Sequence, residues 1–276
     1  DDASVTRMYC IRWQTVSNST SQVTVLKLPT EVVDKGEMKF VSNLTGLGEN
    51  EEIYSVRFLD LRAFVVTFRR TDPLYSIDFS DPANPVMADE LKITGFSEYI
   101  HPIGDKILLT VGRDADTEGV VTGMQIRTFD VEDLYDISEI ANYTLANAYS
   151  EAGAEHKAFR FLTKSSKLLI PVTRWDWKNP ENRFDGFFVL DIGTNSITES
   201  FNVSMADDYS GCYYYANMAP RTLVFDGVAT FIKSHSYRRY DLDPTALLST
   251  HEMDFFLSDG DKDCMPYFYR RGLIDF

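Results

Sequence analysis

Short apolar runs alternate with polar turns along this chain, and the alternation itself repeats. Runs with a two-residue period stand at 63–68, 106–111, 167–172 and 228–232, the first being Ala63-Phe64-Val65-Val66-Thr67-Phe68. Such alternation reads as β-strand, because successive side chains point to opposite faces. Behind each run comes a second strand ending in an apolar–Asp–apolar unit: Ile77-Asp78-Phe79, Phe129-Asp130-Val131, Leu190-Asp191-Ile192 and Tyr240-Asp241-Leu242. An imperfect copy, Leu26-Lys27-Leu28, precedes them. From position 27 to 78, 130, 191 and 241 the intervals are 51, 52, 61 and 50 residues. Each unit is followed by a polar turn and a further strand, such as 90–93 or 137–141. Helical periodicity is weak, and only 133–140 and 244–253 read as a turn or two of helix.

Strand, turn, strand, turn at a period near fifty predicts an all-β chain of four-stranded propeller blades. About five blades are visible, at approximately 1–47, 48–96, 97–149, 150–204 and 205–254. Residues 255–276 form a tail expected to close the ring or to contact a neighbouring subunit. Five blades fit either a small complete ring or a segment of a larger one. A β-sandwich also has many short strands, but it does not repeat one four-strand unit with its own punctuation. Middle strands are apolar on both faces because each blade packs between two neighbours. The aspartate after the third strand is suited to accept backbone N–H bonds in the next turn.

The charge balance is 27 − 42 = −15. That field repels phosphate backbones and anionic lipid, and it disfavours nucleic-acid binding. No stretch has the length and apolarity of a membrane-spanning helix.

Four of the eleven asparagines stand in N-x-S/T sequons: Asn18, Asn43, Asn142 and Asn202. Random composition gives roughly one or two. Those at Asn43, Asn142 and Asn202 fall just before a new repeat, where exposed inter-blade turns are expected. The chain has three cysteines, Cys10, Cys212 and Cys264, too few for a disulfide scaffold. Cys212 and Cys264 are a candidate pair. Together these features predict a secreted or cell-surface glycoprotein.

From residue 46 onward the chain resembles a known family. Glu49-Asn50-Glu51-Glu52-Ile53-Tyr54-Ser55-Val56-Arg57-Phe58 is similar to a "GE-x-IYSVRF" blade opening, and 63–68 and 72–75 to "AYVVTF" and "DPLF" elements. The run 91–102 resembles "LKIPGFSDYLHP", with Thr94 in place of the proline, and Glu155-His156-Lys157-Ala158-Phe159 resembles "DHKAF". These belong to a secreted β-propeller family distantly related to WD repeats, with mostly bacterial and archaeal members. The resemblance is clearest over about 46–250 and implies a fold and a secreted setting, with no reaction attached. The sequons, unlike the family pattern, point to a eukaryotic source.

Candidate chemistry is sparse. If first strands line a central channel, Arg57, Glu98, His101, Glu151 and His156 are channel-lining candidates, and two His with two Glu suit a transition metal. Asp114, Asp116 and Glu118 alternate in a loop ending in Gly119 and form a candidate Ca²⁺ site, with a solvated acidic hairpin as the alternative reading; Ca²⁺ is the sole cofactor candidate, and none is established by the sequence. Trp175 and Trp177, in the insertion that lengthens one repeat, and Tyr267, Phe268 and Tyr269 in the tail are candidate partner contacts. No nucleophile elbow or phosphate-cradling glycine loop is present. The sequence therefore predicts a non-enzymatic extracellular module, structural or binding. Its expected partners are other extracellular proteins, copies of itself or carbohydrate, as in a cell-surface or filamentous assembly. The competing expectation is a metal-dependent propeller hydrolase or oxidoreductase with its site in the channel.

Overall fold

The computed structural model describes residues 3–5, 20–29, 38–68, 72–176, 179–205, 220–233, 236–243 and 245–252. The chain divides into two compact units, Asp1–Thr144 and Leu145–Phe276.

The first unit holds three antiparallel sheets. Strands β1 (Ala3–Val5), β2 (Ser21–Lys27) and β3 (Lys39–Leu47) make the first. Next come β4 (Glu52–Leu59), β5 (Arg62–Phe68), β6 (Asp72–Asp78) and β7 (Val86–Ile93), each paired with its neighbour. The third has β8 (Phe96–Ile103), β9 (Ile107–Ala115), β10 (Val121–Asp130) and β11 (Ser138–Ala146) in the same simple order. Strand β5 shows why its sequence is apolar throughout. Ala63 and Val65 join Val25, Leu47, Tyr75, Ile77 and Phe79 in one core. Phe64 and Val66 point the other way, into a second core with Leu74, Ile93, Ile100, Leu108 and Phe129. One strand thus feeds two cores, as a blade between two blades must.

The second unit begins with a split first strand. Both β12 (Ala148–Tyr149) and β13 (Arg160–Leu162) pair with β14 (Lys167–Arg174), on either side of a 3-10 turn at His156–Ala158. The sheet continues with β15 (Phe184–Ile192), after a second 3-10 turn at Pro180–Asn182, and β16 (Ile197–Ser204). The last sheet is β17 (Arg221–Phe225), β18 (Val228–Lys233), β19 (Ser236–Leu242) and β20 (Thr245–Glu252). Leu169, Phe187, Val189 and Val203 of the one sheet meet Ala229, Phe231 and Leu242 of the other.

The repeat seen in the sequence has a physical counterpart in the turns. The residue after each repeat aspartate donates its N–H back to the start of the second strand: Phe79 to Leu61, Val131 to Lys106, Ile192 to Ser166 and Leu242 to Gly227, at 2.8–3.0 Å. The aspartates cap the same turn. Asp78 accepts from the Ser80 N–H (2.7 Å), Asp130 from that of Glu132 (2.9 Å) and Asp241 from that of Asp243 (3.1 Å). Asp191 instead takes the Lys167 ammonium at 2.6 Å. A second shared feature is a β-bulge in the last strand of four of the sheets. The register skips Val41 in β3, Ala88 in β7, Ser200 in β16 and Leu248 in β20. The two segments expected to carry helical turns differ from that expectation. Residues 138–146 and 245–252 are fourth strands, because each pairs along a third strand whose other side is already occupied.

Candidate functional site

The register identifies equivalent positions without reference to sequence similarity. Asp78 faces Arg62, Asp130 faces Ile107, Asp191 faces Lys167 and Asp241 faces Val228. Counting from these pairs, Phe64, Leu109, Leu169 and Thr230 are equivalent. Their first-strand partners are Arg57, His101, Arg160 and Leu223. Arg57 and His101 thus occupy the same place in adjacent sheets of the first unit. Burial and the neighbouring Arg57 charge hold the His101 imidazole below its ordinary range. In the second unit Arg160, not His156, stands at that place. His156 lies in the 3-10 turn before β13, with its side chain 69% exposed and 3.9 Å from Glu155. The two glutamates are engaged with cations: Glu98 with Arg113 at 3.1 Å, and Glu151 with Lys233 at 3.8 Å. Among the described residues no group of three His, Cys, Asp or Glu side chains could hold a metal ion.

The acidic loop is a hairpin turn between β9 and β10. Asp116 accepts the N–H groups of Glu118 and Val120, both at 2.9 Å, and Asp114 accepts the Thr122 hydroxyl at 2.8 Å. The Asp114 and Asp116 carboxylates are thus directed at the hairpin that carries them.

A dense polar cluster lies in the second unit and includes residues the sequence did not single out. The Lys233 ammonium, at the end of β18, contacts Asp185 of β15, the Thr173 hydroxyl of β14 (3.3 Å) and Glu151 (3.8 Å). Thr173 also donates to Asp185 at 2.7 Å. Tyr149 of β12 reaches Glu151 at 3.4 Å, and its ring stacks on Trp175 with centroids 4.9 Å apart. Burial first, and the Glu151 charge second, push the Tyr149 hydroxyl up to about 12. Glu151 Oε2 is buried and has no hydrogen-bond partner among the described residues. The position equivalent to Lys233 in the second sheet is Thr67, which is buried and donates to Glu51 Oε2 at 2.5 Å. Alternation was the available signal for Lys233. It shares its strand face with buried Ala229 and Phe231, so a charge is carried inward. A second buried cation, Arg127 in β10, donates to Gln125 (2.8 Å), to Glu139 and to the carbonyl and hydroxyl of Thr94 (both 3.2 Å). Thr94 stands where the family pattern has proline, and its side chain serves that clamp. Trp175 packs on Tyr149, and the loop beyond it is organised by Asp176, which accepts from Asn179 and Asn182 at 2.9–3.2 Å.

Three sequon asparagines share one kind of location. Asn43 is in β3, Asn142 in β11 and Asn202 in β16, the outermost strand of each sheet, and all three are exposed. They therefore lie on strands, not on the turns that the sequence suggested. Asn43 and Asn202 each follow the bulged residue by two positions. Asn142 and Asn202 donate to a glutamate three residues earlier, Glu139 and Glu199, both at 2.7 Å. Asn18, Cys10, Cys212, Cys264, Trp177, Tyr267, Phe268 and Tyr269 lie outside the described residues.

Comparison with known proteins supports the repeat reading. A family model described as "Beta propeller domain" matches residues 5–245. An uncharacterized protein of Methanocaldococcus jannaschii is 37% identical over 135 residues, which are 49% of this chain and 21% of that protein. One of Archaeoglobus fulgidus is 38% identical over 135 residues, with the same coverage. The matched stretch thus spans about a fifth of each relative's length. Among solved structures, a Lactobacillus plantarum protein aligns with TM-score 0.48 and 11% identity, covering 84% of this chain and 65% of that one. Saccharomyces cerevisiae Sqt1 aligns with TM-score 0.48 and 10% identity, covering 87% and 59%. No helix among the described residues is long and apolar enough to cross a membrane. With the family model running through all five sheets, the chain belongs to the β-propeller domain family.

Proposed function

We propose that this β-propeller is a non-catalytic extracellular glycoprotein module, a structural or binding platform whose outer rim carries N-linked glycans. The observation that carries the reading is the common placement of Asn43, Asn142 and Asn202 on exposed outermost strands. A glycan needs an exposed amide nitrogen with open space outward, and an edge strand offers both. It also covers a row of unpaired backbone groups that would otherwise template aggregation. The buried cations favour the same reading from another side. Arg127 and Lys233 are each held by carboxylates and hydroxyls within a sheet or between two sheets, which suits a rigid scaffold. Its partners are other extracellular proteins, further copies of the chain or carbohydrate.

The test is expression through a secretory route, followed by intact mass measurement of the wild type and of Thr45→Ala, Thr144→Ala and Ser204→Ala. Each substitution removes one sequon and leaves its asparagine in place. Loss of one glycan mass per variant is expected. A wild type that is secreted and folded with no glycan mass contradicts the proposal.

A further inference from the structure

We propose that residues 253–276, which lie outside the described residues, fold back in cis over the open face of the last sheet. Register defines that face. Leu223 of β17 stands opposite Thr230 of β18, and Thr230 opposite Arg239 of β19, so the three share one side of the sheet. Thr230 is the equivalent of Phe64 and Leu169. Both of those are fully buried, Phe64 in a core with Ile100 and Leu108 of the sheet after its own, and Leu169 in one with Ala229 and Phe231. In the last sheet the same face holds Leu223 at 60% and Phe225 at 85% exposure, and with Val228 and Arg239 they line an open groove of about 400 Å³. The opposite face is occupied, since Ala229, Phe231 and Leu242 pack on the preceding sheet. Two earlier sheets bury this face, and among the described residues the last sheet leaves it apolar and uncovered, which marks an interaction surface.

Reach, composition and charge select the occupant. Strand β20 is outermost in this sheet and ends at Glu252, so residue 253 starts at the rim of the open face. The end of β20 lies on that side: His251 pairs with Tyr237 and stacks on its ring at 5.0 Å, and both share the side of Arg239. The 24 residues that follow Glu252 extend about 3.3 Å each, against roughly 14 Å for the width of four strands. Within them Phe255-Phe256-Leu257 and Tyr267-Phe268-Tyr269 supply apolar surface, and Asp259, Asp261 and Asp263 between them supply carboxylates. The face offers the complement, Arg221 and Arg239 beside Leu223 and Phe225. Arg221 reaches Glu155 at 3.6 Å, whereas Arg239 has no carboxylate within ion-pair distance among the described residues. A tethered segment also acts at an effective concentration of about millimolar, while a net charge of −15 sets a second copy at a disadvantage. The inference does not depend on the glycans.

Photo-cross-linking of the full chain tests it. Phe225→p-benzoylphenylalanine places a reactive ketone on the open face, and Lys164→p-benzoylphenylalanine, in the exposed turn between β13 and β14, is the comparison. After irradiation, the monomer band of a denaturing gel is digested and mapped by mass spectrometry. The expected result is residue 225 joined to a peptide within 253–276, and residue 164 not joined to it. Leu223→Lys gives a second reading that needs no label. A leucine covered by the tail should cost about 4 °C or more in unfolding temperature, whereas the same substitution on bare surface shifts it by no more than about 2 °C. Cross-links from residue 225 that join two chains, that miss 253–276 or that residue 164 forms equally overturn the proposal. So does an unfolding temperature that Leu223→Lys leaves unchanged.

Discussion

Replacing Lys233 with methionine should destabilise the second unit by about 3 kcal/mol, because it leaves carboxylates without the cation that holds them. The side chain of Lys233 is 10% exposed, and those of Asp185 and Glu151 are 21% and 24% exposed. Methionine keeps most of the aliphatic length, so lost packing contributes little and the charge effect dominates. Removing one partner of a buried pair costs about 3–5 kcal/mol, and the residual solvent access of the two carboxylates places this site at the low end. The second substitution separates the causes. In Lys233→Met with Asp185→Asn the orphaned charge is gone, and about 2 kcal/mol should return, with Glu151 accounting for the rest. Urea unfolding followed by tryptophan fluorescence is the assay, since Trp175 stacks on Tyr149 at the edge of this cluster. A loss below about 1 kcal/mol for Lys233→Met, or a cycle with no coupling to Asp185, refutes the reasoning.

Three further outcomes follow from named residues. Gly95 has φ +74°, and a Cβ there would meet the Arg113 carbonyl at 2.2 Å, so Gly95→Ala should cost about 1–3 kcal/mol by thermal unfolding. The depressed His101 pKa means that the folded state binds fewer protons than the unfolded one below the ordinary histidine range. Its contribution to stability is therefore present above pH 6.5 and lost as pH falls through that range toward the folded value; NMR titration should show Arg57→Gln moving the His101 midpoint upward. Tyr149 behaves oppositely: its raised pKa stabilises the fold below about pH 10, and this is lost as pH rises toward 12, so ultraviolet difference titration of the wild type against Tyr149→Phe should show a late-ionising component that the substitution removes.

The fold was legible because its two signals are local. The unbroken buried runs of β5, β9 and β14 record burial on both faces, the alternation of β18 records burial on one, and the recurring aspartate records a turn that must be capped by a short acceptor. The fourth strands were less legible. In β20 a bulge breaks the two-residue period, and in both β11 and β20 exposed outer faces remove the hydrophobic alternation that marks a strand. Residues 133–140 and 244–253, which overlap these strands, therefore read as a turn or two of helix. The expected equivalence of His101 and His156 followed sequence offset, whereas the insertion between β12 and β13 shifts the register and places Arg160 opposite Leu169. Lys233 and Arg127 show the remaining difficulty. Alternation indicates that Lys233 points inward, whereas Arg127 shares a face with Gln125 and carries no such signal; their partners lie up to 82 and 33 residues away, at Glu151 and Thr94, and only pairing of distant strands brings them together.

The proposed glycosylation of Asn43, Asn142 and Asn202 is tested most directly by peptide mapping of protein from its native source, after enzymatic deglycosylation in heavy-oxygen water, which tags every formerly glycosylated asparagine as labelled aspartate. Labelled aspartate at positions 43, 142 and 202 is the predicted result. Unmodified asparagine at all three positions in a folded, exported protein would contradict it.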